Sequence, residues 1–203
     1  NKAAREMQNR VNKILDNVEV GLPWLGTFHS ICAKILRRHA KAVGLNQNFT
    51  IIDQDDQLRL IKSICNAENI DIKKISPNFI ISLINKWKNL GWYPNDVILK
   101  KSESFEKNLL KIYKIYQMKL TDLNTCDFGD LILHCVSVFE KNLDINKMYS
   151  KNFKYILVDE YQDTNLIQSK WLKLLTNNHD NICCVGDDDQ SIYSWRGAEI
   201  KNF

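Results

Sequence analysis

Tyr155-Ile156-Leu157-Val158-Asp159-Glu160 and, further along, Ile182-Cys183-Cys184-Val185-Gly186 decide how this chain folds. Each opens on a short unbroken apolar run, the pattern of a strand buried on both faces of a parallel sheet. Between them Asn165 and Gln168 stand at capping-box spacing, ahead of an apolar-periodic stretch that predicts a helix through Leu175. Strand, helix and strand with short links form a βαβ unit. Ligands of open α/β sheets bind beyond the carboxyl ends of the strands, so the acids after Val158 are expected to project into a crevice.

Working outward, the stretch before residue 150 reads as almost wholly helical. Residues 1 to about 16 place Ala3, Ala4, Met7, Val11 and Ile14 on one face, and Gly21 and Pro23 break the pattern. Trp24-Leu25-Gly26-Thr27-Phe28 is expected to be a short strand feeding a helix from His29 to about Val43, closed by Gly44. Asp53 caps a predicted helix through Ala67, and Ser76-Pro77 is a cap followed by proline at the first helical position. That next helix carries Ile80, Leu83, Ile84, Trp87 and Leu90 in one stripe and ends at Gly91. A longer one follows through Phe105, Leu109, Ile112, Tyr116, Leu120 and Leu123, and another starts near Asp127. The expected fold is therefore α/β: a parallel-sheet core in two pieces, residues 1–30 and 126–203, with a large helical insertion over 31–125.

Bulk properties narrow the function little. Lys plus Arg number 28 and Asp plus Glu 24, a net charge of +4 that neither demands nor excludes nucleic acid. The six cysteines form no Cys-x-x-Cys pair, and they read as small buried hydrophobes in a reducing, cytoplasmic setting. The four histidines share no ligand-like spacing with them, so no zinc site is expected. No apolar stretch approaches the ~18 residues that span a bilayer. The chain starts without methionine on a helical pattern and stops where another helix begins, so both ends read as cuts through a larger protein.

Chemistry concentrates after the two predicted strands. Asp159 offers a hard oxygen ligand of the kind Mg²⁺ prefers. Glu160 beside it can orient and deprotonate a water attacking a γ-phosphate. Alone, the pair also fits a solvated strand-to-loop turn. The second segment adds Asp187-Asp188-Asp189-Gln190-Ser191-Ile192-Tyr193-Ser194-Trp195-Arg196. Neutral Gln190 can donate and accept near a γ-phosphate or its attacking water. Tyr193 and Trp195 offer flat faces for unpaired bases, worth ~1–3 kcal/mol per base without sequence preference.

With these residues in hand, the chain resembles UvrD/Rep/PcrA-type superfamily 1 DNA helicases. Asp159-Glu160-Tyr161-Gln162-Asp163-Thr164-Asn165 is similar to helicase motif II, and Gly186 to Ala198 to motif III. Gly26-Thr27-Phe28-His29-Ser30 resembles motif Ib, and Asn1 to Met7 the later part of motif Ia. Cys126-Asp127-Phe128-Gly129-Asp130-Leu131 resembles the family's Asp-Phe-Asp-Asp-Leu segment, with Gly129 in place of an acid. The resemblance implies a partial P-loop NTPase (RecA-like) core and Mg-ATP hydrolysis coupled to unwinding, with 3'-5' travel in repair or replication. It implies Mg²⁺ at Asp159, Glu160 as base, and Gln190 linking nucleotide state to DNA grip. Tyr193 and Trp195 would stack on bases, and Arg196 would connect the two sides. Thr27, His29 and Asn1 would meet the DNA backbone and Phe128 a base. The implied partners are single-stranded DNA, duplex junctions and the rest of a helicase chain.

No Gly-x-x-x-x-Gly-Lys-Ser/Thr phosphate loop occurs in these 203 residues, so this piece alone is expected to be inactive. Two other readings stay open: a module that holds DNA without catalysis, and a structural excerpt inert on its own. The basic row Lys34, Arg37, Arg38 and Lys41 could face a phosphate backbone or simply form a solvated helix face.

Overall fold

A computed structural model describes residues 2–14, 22–71, 75–98, 104–187 and 189. Most of it is helical. The sequence signals place α1 (Lys2–Ile14), α2 (Phe28–His39), α3 (Gln54–Ala67), α4 (Pro77–Asn89) and α5 (Ser104–Asp122) close to where they were expected. A 3-10 turn, Ala40–Val43, extends α2 and stops at Gly44, whose φ of 78° is the left-handed cap only glycine takes cheaply. Asp53 and Ser76 cap α3 and α4 by accepting from Asp56 N and Phe79 N. After α5 come α6 (Phe128–Lys141) and α7 (Leu143–Asn152), then α8 (Leu166–Thr176), which starts on the expected Asn165–Gln168 capping box.

Four short strands complete the frame. β3 (Ile156–Val158) pairs in parallel with β4 (Ile182–Cys184), so β3, α8 and β4 are the βαβ unit that the apolar runs predicted. β1 (Thr50–Ile51) pairs in parallel with β2 (Thr125–Cys126), a two-residue bridge between distant points of the chain. Two expectations fail. Trp24–Phe28 is not a strand: it runs through a turn to Thr27, which caps α2 by accepting from Ser30 N. Pro23 lacks an N–H for a sheet ladder, and the Trp24 ring instead packs edge-on against Tyr149 and Phe153. Nor are β3 and β4 buried on both faces among the described residues. Val158 is buried, but Leu157 is 80% exposed, and Cys183 and Cys184 are exposed. Alternation sends Leu157 to the face opposite Val158, where no described element covers it.

The apolar residues sort into two clusters. One joins Cys32, Ile35, Leu36 and Phe49 from the α2 region to the buried face of α6 and to Val158, Trp171 and Leu172. The second joins Ile61 and Ile64 of α3, Ile80 and Ile84 of α4, and Ile112, Tyr113 and Tyr116 of α5. α1 belongs to neither: on its predicted apolar face Met7 is 39% and Ile14 79% exposed, and Val11 is half-buried. No helix of the described residues is long and apolar enough to cross a membrane.

Candidate functional site

The sheet end is built from the backbone outward. Val185 N donates to Val158 O at 2.8 Å and Tyr161 N to Val185 O at 2.9 Å, so the segment after β3 is laced to the segment after β4. Asp159 and Glu160 sit on this junction with exposed side chains. Glu160 has φ 53° and ψ 44°, a left-handed conformation that costs a residue with a side chain about 1–2 kcal/mol. The 3-10 turn Tyr161–Asp163 and the Tyr161–Val185 bond hold it there.

Gln162, 1% exposed, ties the junction together. Its Nε2 donates to Glu160 Oε2 at 2.6 Å, and its Oε1 accepts from Asp187 N at 3.0 Å. One buried amide therefore orients the glutamate carboxylate and anchors the acidic loop after β4. Sequence reading quoted Gln162 but gave it no part. Its signal was slight: a neutral polar residue between acids, next to a strand end. Asp189 N in turn donates to Asp187 Oδ1 at 3.1 Å. Gln190, Tyr193, Trp195 and Arg196 lie outside the described residues, as does Asn1.

The other expected residues gather where α2 and α6 begin. Exposed Thr27 caps α2, and the His29 ring lies 5.7 Å from the Phe128 ring in an edge-on contact. Phe128 is 56% exposed. Burial holds the His29 imidazole below its ordinary value, so it offers a neutral hydrogen-bonding ring at neutral pH. Phe28, the residue between Thr27 and His29, turns inward and meets Trp171 of α8 edge-on at 5.8 Å. The helix that follows the carboxylate strand thus supports the turn that presents Thr27 and His29.

Beneath Phe128 lies a polar cluster that sequence reading missed. Lys88, 0% exposed, places Nζ 2.6 Å from Asp127 Oδ2 and 2.8 Å from Asp130 Oδ1, and both acids are also fully buried. Tyr116 donates to Asp127 Oδ2 at 2.9 Å and Gln117 to Asp130 Oδ1 at 2.8 Å. Burial pushes the Asp127 carboxyl up, whereas Asp130, held by Lys88, stays below the ordinary range. The available signal was the register Ile80, Ile84, Lys88, which sets a lysine on the buried stripe of α4.

The basic row along α2 is exposed, and three of its side chains hold neighbouring loops. Lys34 donates to Pro23 O at 2.6 Å, Arg37 to Gln47 O at 2.9 Å and Phe49 O at 3.1 Å, and Arg38 lies over the Trp24 ring. Lys34, Arg37 and Arg38 thus lie on an exposed helix face, one of the two readings of this row, and brace the loops on either side of α2.

The family model for the UvrD/REP helicase N-terminal domain matches residues 1–203. The chain is 46% identical over 206 residues to DNA helicase II of Rickettsia typhi and 45% identical over 205 residues to a probable DNA helicase II homolog of Rickettsia conorii. It is 45% identical over 203 residues to ATP-dependent DNA helicase PcrA of Staphylococcus aureus. Each match covers 100% of this chain, but only 31% of the rickettsial proteins and 28% of the staphylococcal one.

Proposed function

The chain belongs to the UvrD/REP helicase N-terminal domain family, and from that premise we propose that it is part of an ATP-dependent DNA helicase in which Asp159 and Glu160 serve Mg-ATP hydrolysis. The observation that carries this reading is the carboxylate pair at the carboxyl end of β3, with Glu160 held by Gln162 to the loop after β4. Ligands of parallel sheets bind at that end. In this reading residues 1–30 and 126–203 belong to a RecA-like motor core and 31–125 to an inserted helical subdomain. α3, α4 and α5 gather in an apolar cluster of their own, which favours a separate helical unit, whereas Cys32 to Phe49, which that division gives to the insertion, pack with the core helices.

Asp159 supplies an exposed hard-oxygen donor, which suits Mg²⁺. Mg²⁺ bound with ATP would neutralise charge on the β- and γ-phosphates. Glu160 accepts the proton of the attacking water, and Gln162 keeps its carboxylate aimed. Gln190 reports the nucleotide state to Tyr193, Trp195 and Arg196, which with Asn1, Thr27, His29 and Phe128 hold single-stranded DNA near a duplex junction. Travel is 3'-5', in repair or replication within the cytoplasm. Turnover requires the full-length protein, since phosphoryl transfer depends on a phosphate cradle that these 203 residues lack.

The test is ATP hydrolysis by the full-length protein with and without single-stranded DNA, beside its Glu160→Gln variant. We expect DNA to stimulate turnover and the substitution to remove about 10²-fold or more of it. Turnover indifferent to DNA, or surviving in Glu160→Gln, would overturn the reading.

A further inference from the structure

The fully buried Lys88 of α4 reaches a point where burying a charge is costly unless it is paired. It meets both acids of one local device. Asp127 Oδ1 accepts from Asp130 N at 2.9 Å and Asp130 Oδ2 accepts from Asp127 N at 3.3 Å, the reciprocal capping box that starts α6. The remaining oxygens, Asp127 Oδ2 and Asp130 Oδ1, are those that Lys88 holds. Phe128 is the first residue of that helix. With the acids on either side of it turned inward, its own side chain points out, beside His29. Gly129 completes the fit: a Cβ there would stand 2.9 Å from Lys88 Cδ and 3.2 Å from Lys88 Cβ, so the lysine stem passes through space that any larger residue would take.

We propose that Lys88 is a positioning residue for DNA binding: it clamps the Asp127–Asp130 capping box and thereby fixes the direction in which Phe128 meets a base. The inference rests on the reading of Phe128 as a DNA contact. It also gives α4 a part in DNA binding that its buried stripe alone would not suggest. Lys88 acts through the helix start, not by touching DNA, since none of it is exposed. The groups around it are Asp127, Asp130, Tyr113, Tyr116 and, through Asp130, Gln117 and His134.

The experiment measures binding of labelled single-stranded oligothymidylate to the full-length protein by fluorescence anisotropy, together with ATP turnover at saturating DNA and the melting temperature. Lys88→Met, Gly129→Ala, Phe128→Ala and the double variant Lys88→Met/Phe128→Ala are compared. We expect Lys88→Met to weaken binding about tenfold, within the range a lost stacked base allows. Turnover at saturating DNA should change far less. The double variant should bind no worse than Phe128→Ala alone, because both changes remove one interaction. Gly129→Ala, whose Cβ displaces the lysine stem, should also weaken binding, and turnover at saturating DNA should again change far less, which a general loss of folded protein would not give. That variant decides the matter if Lys88→Met does not fold. Normal binding by Lys88→Met or Gly129→Ala, with Phe128→Ala impaired, would overturn the inference and leave Lys88 a stabilising residue only. Normal binding by Phe128→Ala would overturn both the inference and the DNA face it rests on.

Discussion

At the scale of single residues, the carboxylates were legible and their support was not. Asp159 and Glu160 announce themselves as acids ending an apolar run, and chemistry assigns them roles. The left-handed backbone at Glu160 carries no signal in the sequence, because glutamate has no preference for it. Gln162 was likewise invisible as a brace: its two bonds depend on how closely the segment after β4 returns. This brace makes a prediction. Gln162→Leu keeps the bulk but loses both the donor to Glu160 and the acceptor for Asp187 N. ATP turnover by the full-length protein, at saturating ATP and DNA, should fall by about 10- to 100-fold, part of what a positioned base contributes. Unchanged turnover in a steady-state assay would show that Glu160 needs no such brace.

At the scale of elements, the caps were the most readable features. Asp53, Ser76 and Asn165 all accept from a backbone N–H three residues on, and Gly44 closes the turn after α2; Thr27, expected in a strand, caps in the same way. Local chemistry governs these positions, so local sequence suffices. The partner of an exposed-looking side chain is a different matter. The basic row of α2 could be read as a phosphate stripe because nothing nearby in sequence reveals that the chain returns at Gln47 and Phe49 under Arg37. Two carbonyl contacts and the Phe49 ring 4.6 Å below make Arg37 a brace of that return. Arg37→Ala should cost about 1 kcal/mol in urea unfolding, a modest value because the side chain is exposed. The salt dependence of DNA binding should keep its slope. A slope shallower by about one unit would instead assign Arg37 to a phosphate.

For the whole molecule, the βαβ unit and a helical insertion were legible from the apolar pattern, but the packing of Cys32 to Phe49 with the core rather than with the insertion was not. The bridge pairing Thr50 with Thr125 and Ile51 with Cys126 spans most of the helical insertion, and two-residue strands leave no periodicity to read. Three histidines, His134 buried and His29 and His39 half-buried, couple this architecture to pH. His29, His39 and His134 all have their imidazoles held below the ordinary value of 6.5, in each case chiefly by burial, with Arg38 adding to the effect at His39. Below that value the unfolded chain takes up protons that the folded chain resists, so the unfolded state binds more protons and stability must rise with pH. Asp127, raised by burial from 3.8, has the opposite sign because the folded state keeps its proton longer, so the histidine effect is read most cleanly just below 6.5. Urea unfolding at a series of pH values approaching 6.5 should therefore give midpoints that climb with pH and level off above it. In His134→Gln, where an amide replaces the imidazole that meets the Tyr93 hydroxyl at 2.7 Å, the climb should be shallower. Midpoints that fall with pH in that window would mean the imidazoles are charged in the folded protein, with Asp130 pairing His134 more strongly than burial opposes it.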